Sequence, residues 1–147
     1  MRIAFNVLAA LSFSMTLMAA ESFYGTWKLN MAKSKLQCSD IASETMKITE
    51  TGPNSYHNVI DLVSKSGQAR HQDSGNRFLD GKEYPSPTQA GVTQSIQRIN
   101  ASTHKITTKK DGKVVVEITS TVSPDGKVQT NHRVEGTCDE TMVFEKQ

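Results

Sequence analysis

Along most of the chain, apolar and polar residues alternate in runs of about five to ten, separated by clusters of Gly, Asn, Asp, Ser and Pro. A period of two belongs to a half-buried β-strand, because successive side chains leave a strand on opposite faces. The pattern predicts strands near residues 24–31, 44–51, 55–63, 67–72, 76–79, 93–99, 103–109, 113–122, 127–135 and 140–146. Helical periodicity is nearly absent. Only residues 39–46, "SDIASETM", open on an N-cap-like Ser39 or Asp40, and that run is short. Residues 80–92, with Pro85, Pro87 and two glycines, read as the one long loop.

The last third allows a register to be argued. "KKDGK" and "SPDGK" each place Gly where a three-residue hairpin loop takes a left-handed residue. With Lys110-Asp111-Gly112 and Pro124-Asp125-Gly126 as the loops, Ile106 faces Val116, which faces Val134, and Val122 faces Val128. Glu117 then falls between Lys105 and Arg133 on the outer face. His104, Ile118 and His132 line up across three strands on the inner face, with Ser120 beside Thr130. A one-residue slip would turn a whole apolar set to water, so the register carries weight. The inner face is mixed in polarity.

The first twenty residues stand apart from this pattern. Arg2 precedes an apolar run over residues 3–20, which reads as a signal peptide cleaved after Ala20 or two residues later. Asn6, Ser12, Ser14 and Thr16 weaken a transmembrane reading, and no cysteine follows either site to take a lipid. The expected product, residues 21–147, is one soluble domain, periplasmic or secreted. The formal net charge of +2, one less without Arg2, calls for neither nucleic acid nor an anionic membrane. About a quarter of residues 21–147 are large apolar types, enough for one core but little for a wide greasy cavity as well. In an oxidising compartment Cys38 and Cys138 are expected to form a disulfide; two unpaired thiols are the alternative.

An antiparallel meander of eight to ten strands with one buried face exposes two edges unless it closes on itself. Closure would pair the first strand with the last and bring Cys38 near Cys138. Trp27, the only tryptophan, then plugs one end of the barrel, and Gly25 permits a close approach there. At this point the residues resemble a known group. Gly25-x-Trp27 is similar to the opening motif of lipocalins and other calycins. The ordered set "GTWKLNMAKSKL", "LDGKEYP", "QRIN", "KKDGKVV", "VSPDGK" and "FEKQ" resembles a bacterial family of small secreted lipocalin-like proteins to which no biochemical activity is assigned. The likeness spans residues 21–147, although Met31 stands where that family has proline, and many members lack the two cysteines. It implies an all-β, single antiparallel up-and-down meander closed into a lipocalin-like β-barrel.

Candidate chemistry is sparse. The sequence has no G-x-S-x-G, H-E-x-x-H, C-x-x-C, P-loop or dinucleotide fingerprint, so no catalytic residue, resident metal or cofactor is expected. His104 and His132 are the clustered candidates: they either converge on a ligand or satisfy buried hydroxyls near Ser120 and Thr130. Arg98 faces inward if Asn100-Ala101-Ser102 forms the turn and outward if the loop is longer. Inward, it would lie over Trp27, as a conserved arginine does in lipocalins. Tyr84 either gates the barrel mouth or packs on its rim. Lys105, Lys109, Lys110 and Lys113 read as a solvated face, and His57 and His71 as surface residues. The expected function is an exported, monomeric module binding a small amphipathic or polar ligand in the barrel mouth. The rival is a protein-binding module, such as a secreted-hydrolase inhibitor acting through residues 80–92 or the hairpin tips, or a structural domain without a ligand.

Overall fold

The alternating runs become ten strands: β1 (Gly25–Leu29), β2 (Ser43–Gly52), β3 (Ser55–Val63), β4 (Ala69–Phe78), β5 (Asp80–Pro85), β6 (Val92–Asn100), β7 (Thr103–Lys110), β8 (Lys113–Val122), β9 (Val128–Glu135) and β10 (Cys138–Lys146). This computed structural model describes residues 23–147, so the expected leader and its cleavage site lie outside the described residues. The strands form one antiparallel sheet in the order β4-β3-β2-β1-β10-β9-β8-β7-β6-β5. Among the described residues, no helix is long and apolar enough to cross a membrane.

Closure occurs where the meander requires it. β1 pairs with β10, with Trp27 opposite Lys146 and Leu29 opposite Phe144. Only β4 and β5 are consecutive strands without a ladder between them, so the barrel is nearly closed, with one seam. The segment between β1 and β2 crosses back over β10: Lys35 bridges Thr141, and Cys38 is bonded to Cys138 with a Cα–Cα distance of 6.2 Å. The bond joins residues 100 apart in sequence, and loop-closure entropy makes such a cross-link worth roughly 4–5 kcal/mol.

Trp27 is fully buried at the β1 end of the barrel, and its indole N–H donates to the Phe23 carbonyl at 2.8 Å. Phe23 in turn stacks on the His104 ring, with centroids 3.8 Å apart. Leu29, Met142, Phe144, Val122 and Ile96 complete the apolar layer around it. Gly25 has φ +132°, and a β-carbon there would lie 2.7 Å from Lys146 Cε, so both conformation and space favour glycine.

Both hairpin registers in the last third differ from the sequence expectation. Asp111 (φ 48°) and Gly112 (φ 79°) form a two-residue turn between Lys110 and Lys113, the arrangement that best follows strand twist. A bulge at Val115 then adds a residue, and Ile106 faces Ile118 rather than Val116. Turn and bulge together shift the pairing by two, so His104, Ile106 and Ile118 keep the inner face. The second loop is one residue longer than expected. Ser123 N–H donates to the Val128 carbonyl, and Gly126 N–H to the Ser123 carbonyl, so residues 124–127 form the loop. That odd shift inverts β9: Gln129, Asn131 and Arg133 point inward, while His132 and Val134 face out. Lys105 still pairs with Glu117 at 2.8 Å, but Arg133 leaves that outer row.

Two further segments differ. β4 is continuous where two strands were expected, because a bulge at Ser74 and Gly75 (φ 60°) absorbs the irregularity. The first half of the expected loop over residues 80–92 is strand β5, paired with β6.

Candidate functional site

The inner faces of β2, β3, β4, β6, β7, β8, β9 and β10 enclose a cavity of about 470 Å³. Met46, Ile48, Ile60, Ile96, Ile106 and Ile118 supply its apolar wall. Interleaved with them is a set of amides and hydroxyls that mostly satisfy one another. Ser120 donates to Asn131 Oδ1 at 2.6 Å, and the Gln129 amide reaches both Ser120 Oγ (3.0 Å) and Asn131 Oδ1 (3.1 Å). Gln94 donates to Thr108 Oγ1 at 3.2 Å. Asn58 Oδ1 and Gln129 Oε1, both buried, accept from no described residue. Such a wall suits a ligand with apolar surface and a few polar atoms.

One end of the cavity holds a charged cluster. Arg133, inverted inward by the β8–β9 loop, donates to Glu140 Oε2 at 3.2 Å and to Glu135. Glu140, 1% exposed, also accepts from the backbone N–H groups of Cys38 and Ser39, each at 2.6 Å, and from the Ser39 hydroxyl. Burial alone would raise the Glu140 pKa. The Ser39 hydroxyl and the two N–H groups, with Arg133 behind them, instead hold it down at about 2. Glu44, 8% exposed, has no such donors. Burial pushes its carboxyl up to about 7, against a smaller opposing pull from Arg133. Two carboxylates around one guanidinium thus titrate in opposite directions, because only one is solvated by backbone N–H groups.

A second pocket of about 300 Å³ lies at the seam, lined by Phe78, Tyr84, Pro85 and Pro87 among others. It shares Ser74, Arg77, Gln94 and Ile96 with the central cavity, so those four residues form the wall between them. The bulge at Gly75 puts both Ser74 and Arg77 on the inner face despite their odd spacing.

The sequence candidates land in different places. His104 is buried in the cavity wall against Phe23. His132 is on the outside, 2.7 Å from Asp139, so the expected histidine pair does not form. His57 and His71 likewise pair with Asp73 and Asp61 on the exterior, each at 2.6 Å. Arg98 is opposite His104 on the inner face, but the cation over Trp27 is Lys146, 5.0 Å from the ring centroid. Tyr84 lies on the seam, its hydroxyl donating to Asp80 at 2.8 Å and its ring tilted against Phe78. Cys38, Cys138 and Glu140 bring three metal-ligating atom types together, but both sulfurs are in the disulfide and offer no thiolate.

Glu44, Arg77, Arg133 and Glu140 were missed. A signal existed for two of them: Glu44-x-Met46-x-Ile48 and Glu140-x-Met142-x-Phe144 each carry a glutamate in the apolar phase of a strand.

Solved structures share this architecture. The fluorescent protein UnaG superposes with a TM-score of 0.64 at 17% identity, covering 86% of this chain and 98% of its own. Echinococcus granulosus fatty-acid-binding protein 1 gives 0.60 at 17%, covering 86% and 98%. The Schistosoma mansoni fatty acid binding protein, in complex with arachidonic acid, gives 0.61 at 15%, covering 86% and 96%. The fold is a calycin-type β-barrel. At these identities the likeness establishes the fold alone. No protein-family model matches the chain, and no curated protein sequence matches it.

Proposed function

We propose that this protein binds a small amphipathic ligand inside the calycin-type barrel. The observation that carries the reading is the cavity of about 470 Å³, whose lining mixes isoleucines and methionines with amides, hydroxyls and two arginines. A barrel serving only as a structural element gains stability from filling that space. Neighbours of the same fold include proteins named for fatty-acid binding, which supports a ligand of partly apolar character. In this reading His104, in the cavity wall, contacts the ligand directly, and Tyr84 lines the pocket at the seam. The export reading belongs with this proposal: residues 1–20 act as a removable signal, and the disulfide fits an oxidising compartment.

The test is titration with 1-anilinonaphthalene-8-sulfonate, whose fluorescence rises in an apolar site. One dye per barrel is expected, with loss of binding in Ile106→Trp, which fills the cavity. Absence of binding, or equal binding by a folded Ile106→Trp protein, overturns the proposal.

A further inference from the structure

The cavity wall contains two arginines in opposite electrostatic situations. Arg133 has Glu140, Glu135 and Glu44 around it. Arg77 makes no hydrogen bond or ion pair with any described residue, although its side chain is partly buried. Burial pulls its pKa below the usual guanidinium value, and the only opposing influence is Tyr56; no carboxylate contributes. A half-buried guanidinium with no partner among the described residues keeps its N–H donors and its charge available to a ligand in the cavity.

Tyr56 is directly opposite Arg77 on the neighbouring strand, and its buried ring also faces the cavity. Burial pushes its phenol up to about 12, so it remains an O–H donor at neutral pH. Its hydroxyl is not engaged by a described residue. Guanidinium and phenol together offer donors and a positive charge at one point, which complements an acceptor-only carboxylate. Arg77 is in the wall shared by the central cavity and the seam pocket. Along β3, Tyr56 is six residues from Leu62, the partner of Glu44, a span of about 20 Å. The free cation and the acidic cluster therefore occupy opposite ends of the cavity.

We propose that Arg77 and Tyr56 form an anion subsite at the junction of the two cavities, and that the ligand is a small amphipathic carboxylate. Its charged group sits on Arg77, and its apolar part lies against Ile60, Ile96 and Met46. This inference rests on the ligand-binding reading above and adds to it the charge of the ligand and the end at which that charge is held.

The test is a matched pair of probes, decanoate and 1-decanol, measured by isothermal titration calorimetry on the intact protein. Arg77→Gln is expected to weaken decanoate at least tenfold and to leave 1-decanol within twofold, while Arg77→Lys retains most decanoate affinity. Tyr56→Phe, which keeps the ring, is expected to weaken decanoate about threefold and remains informative should Arg77→Gln fail to fold. Equal weakening of both probes, or decanoate affinity independent of Arg77 and Tyr56, overturns the anion subsite while leaving the ligand-binding barrel intact. Failure of the wild-type protein to bind either probe overturns both readings.

Discussion

Replacing Glu44 by Gln should make this protein more stable at neutral pH, and the gain should vanish in acid. Glu44 is buried at one end of the cavity, and its carboxyl titrates at about 7 in the folded chain instead of 4.5. A raised carboxylate pKa means that the folded state binds the proton more tightly than the unfolded state. Below about pH 4.5 the group is protonated in both states and costs nothing. Between 4.5 and 7 the unfolded chain ionises first, and stability falls as pH rises. A shift of about 2.5 units corresponds to roughly 3.4 kcal/mol once pH is well above 7, and to about 3 kcal/mol at pH 7 itself. At pH 5 the penalty is only about 1 kcal/mol. Glutamine has nearly the same shape as the protonated acid and no charge to bury. Urea unfolding followed by fluorescence of Trp27, the only tryptophan and fully buried, gives the free energy directly. Measured at pH 5, 6, 7 and 8, the variant-minus-wild-type difference should grow from about 1 to about 3 kcal/mol, because contributions from the histidines cancel in the subtraction. A difference that stays flat with pH, or a variant less stable than wild type at pH 8, would refute the reasoning and mean that ionised Glu44 is held by Arg133 after all.

The neighbouring carboxylate should behave in the opposite sense. Glu140→Ala removes the acceptor of Arg133 Nη1, of the Ser39 hydroxyl and of two backbone N–H groups, and about 3–5 kcal/mol of stability should be lost at pH 7 in the same urea assay. Because its folded pKa is lowered to about 2, the wild-type contribution is present above pH 4.5 and disappears as pH falls from 4.5 towards 2; a loss that persists undiminished at pH 2 would count against this. Removing the disulfide with Cys38→Ser and Cys138→Ser should cost about 4–5 kcal/mol, seen as a lower urea midpoint with a steeper slope, because the unfolded chain without its cross-link exposes more surface. Gly75→Ala forces a β-carbon into a left-handed conformation in open space, so a penalty of about 1–2 kcal/mol is expected from strain alone; a neutral result would mean that the bulge relaxes.

Much of the candidate site was hidden in the sequence for identifiable reasons. Arg77 and Ser74 are three residues apart, and strict alternation places them on opposite faces; only the left-handed Gly75 bulge brings both inside. Arg133 and His132 exchange faces because residues 123–128 close a loop one residue longer than the Gly spacing suggests. By contrast, the glutamates at 44 and 140 could have been found, since each occupies an apolar-phase position beside Met46 or Met142.

By itself the sequence determined eight of the ten strands, their antiparallel order, the cysteine pairing and the burial of Trp27. Each of these follows from local alternation, from the sheet's need to lose its edges, or, for the cysteines, from the expectation of export. Only the tertiary structure decided the register of β8 on β9, the continuity of β4, the seam beside β5 and the two arginines in the cavity. The physical reason is parity. A period-two pattern fixes which residues share a face within a strand, but one residue gained in a turn or bulge inverts everything beyond it. Whether that residue is gained depends on long-range partners. Arg133 is turned inward towards a buried Glu140, and Glu140 is ionised because it meets the backbone of Cys38 and Ser39 a hundred residues away.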